Sequence, residues 1–83
     1  MTINIHPHAA QRMRERGATA ARVRETVMKG NQSPAKFGRT QFSLTFPYGK
    51  PWNGKKYARQ KIEVLAATIV DGWLVVTVIV KYF

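Results

Sequence analysis

At 83 residues the chain has room for one domain holding one sheet and one or two helices, and folding at this size buries only roughly 60% of the surface the unfolded chain exposes. Its hydrophobic content of 45% excludes a disordered polyelectrolyte, and the absence of cysteine excludes disulfides, thiolate nucleophiles and zinc–thiolate sites together. Fourteen Lys and Arg against four Asp and Glu leave a formal charge of +10, and self-repulsion of that size points to a counter-charged partner: nucleic acid, an acidic protein or an anionic membrane.

The first element is a helix over residues 7–16. Pro7 suits a first helical position, where its missing N–H is not needed, and Gly17 ends the helix as a left-handed cap. Thr19 is placed to cap a second helix over residues 20–29, stopped by Gly30. Ala20, Val23 and Val27 recur at helical spacing and are expected in the core, with Arg22 and Arg24 pointing away. Residues 31–38, NQSPAKFG, read as a turn-rich connection, and QFSLTF at 41–46 alternates with a period of two and reads as a strand. PYGKPWNGKK at 47–56, with its two prolines, two glycines, Tyr48 and Trp52, reads as a long exposed loop.

The last third consists of two β-rich runs about Asp71-Gly72, a dipeptide preferred in type I′ hairpin turns. With Val70 opposite Trp73, one hairpin face carries Leu65, Ala67, Ile69, Leu74, Val76, Val78 and Val80. That apolar face is expected against the helices. The other face, with Ile62, Val64, Thr68, Trp73, Val75, Thr77, Ile79 and Lys81, is mixed and expected to be free. The fold class is thus α+β: two N-terminal helices on one face of a small curved antiparallel sheet that ends in a long hairpin, as a single domain over residues 1–83.

The charge is distributed so as to disfavour a membrane partner. Arg12, Arg14, Arg16, Arg22, Arg24, Lys55, Lys56, Arg59 and Lys61 are spread along the chain without an apolar helical face beside them. No run approaches a membrane span and no signal peptide opens the chain, so a soluble protein of the cytoplasm, or one delivered there, is expected. Glu15, Glu25, Glu63 and Asp71 are scattered, and a metal-dependent nuclease normally clusters several acids. Neither a metal nor a cofactor is expected.

Three groups of residues carry candidate chemistry. His8, Arg12 and Arg16 fall at steps of four and share one helix face, where a phosphate would relieve their mutual repulsion; a solvated basic face is the equally weighted alternative. His6 and His8 flank the helix start, and an imidazole there is suited to proton transfer or simply to capping. Lys55, Lys56, Tyr57, Arg59 and Lys61 interleave cations with an aromatic ring, as single-stranded RNA binders do, though strand-edge lysines also guard against aggregation. Trp52 has little core to enter from a Gly/Pro loop, whereas Trp73 is expected to pack beside the turn.

The pattern His8-Ala9-x-x-Arg12-Met13-x-Glu15-Arg16-Gly17, followed by a second short helix and a hairpin ending in Val-Val-Thr-Val, resembles a bacterial domain-of-unknown-function family. Members of that family open with His-Ala-x-x-Arg-Met-x-x-Arg-Gly and are similar to small toxins of the barnase, EndoU, colicin and RelE-like ribonuclease superfamily. The resemblance implies RNA cleavage without a metal, by attack of the ribose 2′-OH on the adjacent phosphate. It places His8, Arg12, Arg16 and Thr77 at the site, and chemistry alone adds His6 and Lys61. The partners to expect are RNA and an acidic antitoxin or immunity protein. A non-catalytic RNA-binding or regulatory module, or an interaction domain neutralised by an acidic protein, would use the same basic surface.

Overall fold

Both helices start and stop where local chemistry requires. In the computed structural model, which describes residues 1–83, helix α1 spans Pro7–Arg16 and helix α2 spans Ala20–Lys29. The Nδ1 atom of His6 accepts the backbone N–H of His8 at 3.1 Å and so caps α1, and Thr19 Oγ1 does the same for Arg22 N–H at 3.2 Å in α2. Gly17 closes α1 at φ 80°, in the left-handed region. Gly30 closes α2 in extended rather than left-handed conformation.

Five strands follow the order β1-β5-β4-β3-β2 across one sheet. They are β1 (Thr2–Ile5), β2 (Asn31–Pro34), β3 (Thr40–Trp52), β4 (Lys55–Ile69) and β5 (Gly72–Tyr82). A short 3₁₀ turn, Lys36–Gly38, joins β2 to β3. The helices pack on one face of this sheet, which gives the expected α+β architecture. The sheet is mixed, however, because β1 runs parallel to β5. Ala9 and Met13 of α1 and Val23 and Val27 of α2 meet Phe42, Phe46, Ile62, Val64, Ala66, Val75 and Val78 from the sheet. Full burial of each Ile or Val is worth about 1.5–3 kcal/mol. Ala20 stays exposed, while Ala18, before the helix, is buried in the same core.

Along β4 and the start of β5 the face that meets the helices is the opposite of the one expected, whereas Val78 and Val80 lie against the helices, and Thr77, Ile79 and Lys81 on the other face, as expected. Ile69 pairs with Gly72 and Thr68 with Trp73, so Val70 and Asp71 form the tip. Only Asp71 of this pair has a positive φ, 62°, where a type I′ turn needs two. The parallel strand β1 accounts for the shift. Thr2 N–H donates to Asp71 O at 2.8 Å, and the Thr2 backbone lies so close to Gly72 that any Cβ would collide with it. Gly72 therefore serves strand packing rather than turn conformation. A bulge between Leu65 and Ala66 leaves Val76 unpaired and changes the alternation of β5. As a result Ile62, Val64, Ala66, Val75 and Val78 lie under the helices, and Leu65, Ala67, Ile69, Leu74, Thr77, Ile79 and Lys81 belong to the open face.

The expected loop at 47–56 is also a hairpin. Strand β3 continues to Trp52, β4 begins at Lys55, and Asn53 and Gly54 make the two-residue turn with φ of 51° and 80°. Its prolines are tolerated because β2 pairs with β3 only at residues 40–43, which leaves this part of β3 an edge strand, with a bulge between Pro47 and Lys50. Likewise part of the connection at 31–38 is an edge strand, β2, paired to β3.

Candidate nucleic-acid cleft

Helix α1 lies beside β5 where β5 has lost its strand neighbour. Strand β1 pairs only with Gly72–Val75, so from Val76 onward that edge of β5 faces α1 instead. Between them runs a cleft of about 350 Å³ whose wall is Arg12 and Arg16 and whose floor is Thr77, Val78, Ile79 and Val80. A second hollow of about 400 Å³ holds His6, His8, Arg39, Leu65, Val76 and Thr77. Thr77 lines both. Imidazoles at the start of α1 and guanidinium groups along it thus share one surface with the Thr77 hydroxyl.

The electrostatics of this surface are one-sided. Glu63 makes both ion pairs of the chain, to Lys61 at 3.6 Å and Lys81 at 3.2 Å. Arg12 and Arg16 therefore have no carboxylate partner, and two like charges at i, i+4 repel by about 0.2–0.5 kcal/mol in a helix. His6 and His8 have different tasks. The Nδ1 of His6 is committed to capping, whereas the His8 ring has no hydrogen-bond partner. No three His, Asp or Glu side chains gather into a possible metal-binding group. No helix is long and apolar enough to cross a membrane.

Lys61 is not brought to this cleft. It is held by Glu63 on the open face, where it lines a hollow with Asn31, Ser43, Leu44 and Thr45. It stands opposite Lys81, four residues or about 13 Å along β5 from Thr77.

The β3–β4 hairpin is a separate region, and its aromatic rings are largely used by the fold. Trp52 stacks on Tyr82 at 5.2 Å, and Tyr48 and Tyr57 pack against the same ring at 5.0 and 5.5 Å. Trp52, expected in a free loop, is half-buried over the end of α1, where a Cβ on Gly17 would lie only 2.6 Å from its ring. Gly17 is thus required by its φ and by this contact. Tyr82 OH donates to Arg16 O, and Gln60 Nε2 donates to Gly17 O at 3.3 Å and to Tyr82 OH at 3.0 Å, closing the last turn of α1. Burial pushes the Tyr82 phenol up from its ordinary value, opposed by the hydrogen bond from Gln60.

Arg22, expected to point away from the core, instead donates to Gln60 Oε1 at 2.7 Å and Pro47 O at 3.3 Å, with its guanidinium 4.9 Å from the Phe46 ring centre. Lys55, Lys56 and Arg59 remain exposed on the hairpin. Arg39 and Phe37 are additions from the structure. Phe37 sits in the segment 31–38 that reads as a mere connection and Arg39 just after it, and only the sheet carries Arg39 to His8, 31 positions earlier. Compared with family models, curated proteins and solved structures, the chain matches none.

Proposed function

We propose that the chain is a small metal-independent endoribonuclease of the toxin type, acting on RNA in the cytoplasm. The observation that carries this reading is the continuous surface along α1 and the free edge of β5, where His8, Arg12, Arg16 and Thr77 line two adjoining hollows that no acidic residue lines. His8 takes the proton from a ribose 2′-OH. The 2′ oxygen then forms a bond to the adjacent phosphorus as the bond to the 5′ oxygen breaks. That oxygen leaves with a proton from solvent, and the products are a 2′,3′-cyclic phosphate and a 5′-OH. Arg12 and Arg16 neutralise the charge on the non-bridging oxygens, and the Thr77 hydroxyl donates to one of them. The placement of His8, Arg12, Arg16 and Thr77 follows the resemblance of the chain to a domain-of-unknown-function family that is similar to the ribonuclease toxins.

The test is incubation of the purified protein with total RNA in EDTA and analysis of the product ends. Cyclic phosphate termini that vanish with His8→Ala are expected; intact RNA at high enzyme concentration would overturn the proposal. A toxin also needs an inhibitor, so an acidic protein should cover the Arg12/Arg16 face, associating fast at low salt and more slowly as salt screens the attraction. Harmless overexpression of the wild-type chain in a bacterium would count against the toxin role.

One observation favours a second reading, a non-catalytic RNA-binding module. His6 is committed as a cap and Lys61 is held by Glu63, which leaves His8 as the one free proton-transfer group in the cleft. RNA binding without product, unchanged in affinity by His8→Ala, would decide for that module.

A further inference from the structure

Phe37 is an exposed aromatic ring in a backbone conformation that bulky residues seldom adopt. It is 89% exposed, and its φ and ψ of 61° and 35° are left-handed. The conformation is imposed by a closed turn in which Ala35 N–H donates to Arg39 O at 2.9 Å and Arg39 N–H to Lys36 O at 3.3 Å. Asn or Gly would occupy such a position with less strain, and nothing in the core accounts for the ring. An apolar side chain displayed at a cost in both strain and solvation is a functional candidate.

Its surroundings indicate what it meets. Phe37 borders a hollow of about 410 Å³ with Ala35, Lys36, Arg39, Gln41 and Leu65. Arg39 and Leu65 also line the hollow that holds His6, His8 and Thr77. The two hollows are therefore adjoining parts of one groove on the open face, with Phe37 at one end and the α1 histidines at the other. Lys36 and Arg39 flank the ring with positive charge, and no acidic residue lines either hollow.

We propose that Phe37 is a stacking platform for an unpaired nucleobase, and that Lys36 and Arg39 hold the phosphates on either side of that nucleotide. This rests on the RNA reading above and extends it: the substrate is single-stranded, and one base beyond the His8 end of the cleft is held by its face. A flat ring beside cations suits a base in a polyanionic strand, because every base offers a π-face and its backbone supplies the counter-charge.

The experiment measures binding of a short 2′-O-methyl oligonucleotide, which cannot undergo 2′-OH attack, to the wild type, Phe37→Asn and Phe37→Trp. Phe37→Asn should weaken binding about 5- to 150-fold and at the same time raise the melting temperature, because Asn is at ease at this φ. Phe37→Trp should retain the affinity and lose tryptophan emission on binding. An abasic nucleotide at the stacked position should weaken the wild type but not Phe37→Asn. If the wild type binds and Phe37→Asn binds as tightly, the stacking role is wrong while RNA binding stands. Failure of the wild type to bind at low salt removes the RNA reading itself, and this role with it.

Discussion

The α1–β5 cleft and the β3–β4 hairpin are both rich in cations, and by composition the hairpin is the better candidate for an RNA surface, since it alone adds aromatic rings. The structure separates them by what each side chain already touches. At the hairpin, Trp52, Tyr48 and Tyr57 pack on Tyr82, and Arg22 is spent on Gln60, Pro47 and Phe46. In the cleft, Arg12, Arg16 and the His8 ring have no protein partner. Groups satisfied within the fold contribute stability, and groups left unsatisfied on a concave surface are available to a ligand. Similar residue types thus divide into a brace and a site.

That division is open to direct attack, and the largest effect should fall on activity. His8→Ala is expected to lower RNA cleavage by about 10² to 10⁴-fold without changing the melting temperature. Lys61→Ala, on the open face with Glu63, should change the rate by less than about tenfold, an expectation drawn from its lack of a role at the reacting groups. A rate for Lys61→Ala as low as that of His8→Ala would move the reaction to the hollow that Lys61 lines with Asn31, Ser43 and Thr45.

The brace should respond in the opposite manner. Gln60→Leu strips Gly17 O, Tyr82 OH and Arg22 of a partner that is fully buried, and the loss is expected to be about 3 kcal/mol, read by urea denaturation. Where that variant remains folded, its RNA affinity should match the wild type. A drop in affinity at unchanged stability would show that the hairpin end belongs to the binding surface.

A smaller effect distinguishes the two sets of cations. If roughly five cations engage a single strand, log K falls with log salt at a slope of about −3.5, and Arg12→Ala and Arg16→Ala should each reduce the slope by about 0.7. Charge reversal at Lys55 and Lys56 should weaken all sequences about equally and by less than loss of the arginines does. The reverse ranking would place the RNA on the hairpin.

The smallest effect is a pH dependence. The Tyr82 phenol is raised in the folded state, chiefly by burial, so its contribution is fully present below the unfolded value near 10 and is lost as pH rises through the folded value. Tyr82→Phe should be less stable at neutral pH, by about 1 kcal/mol for the lost hydrogen bond to Arg16 O, and should lose less stability than the wild type between pH 9 and 11 or so. Parallel curves for the two proteins across that range would mean that Tyr82 does not couple to folding.

By itself the sequence determined both helices to the residue, because Pro7, Gly17 and Thr19 act within one turn of chain. It also determined the existence of the last hairpin and the stripe of His8, Arg12 and Arg16, which follows from helical spacing alone. The face of the sheet that meets those helices was decided by tertiary structure. Four residues near the start of the chain, Thr2–Ile5, insert beside β5, require Gly72 for close approach, and shift the turn to Val70-Asp71. Pairing between elements some seventy positions apart leaves no local signature, and a one-residue change in alternation exchanges the two faces. The same holds for the site. Helical period places His8 and Arg12 together, but only the sheet carries Thr77 and Arg39 to His8; the β3–β4 hairpin has a local signal in its Asn53-Gly54 turn, and only the packing of its aromatic rings on Tyr82 makes it brace Gly17.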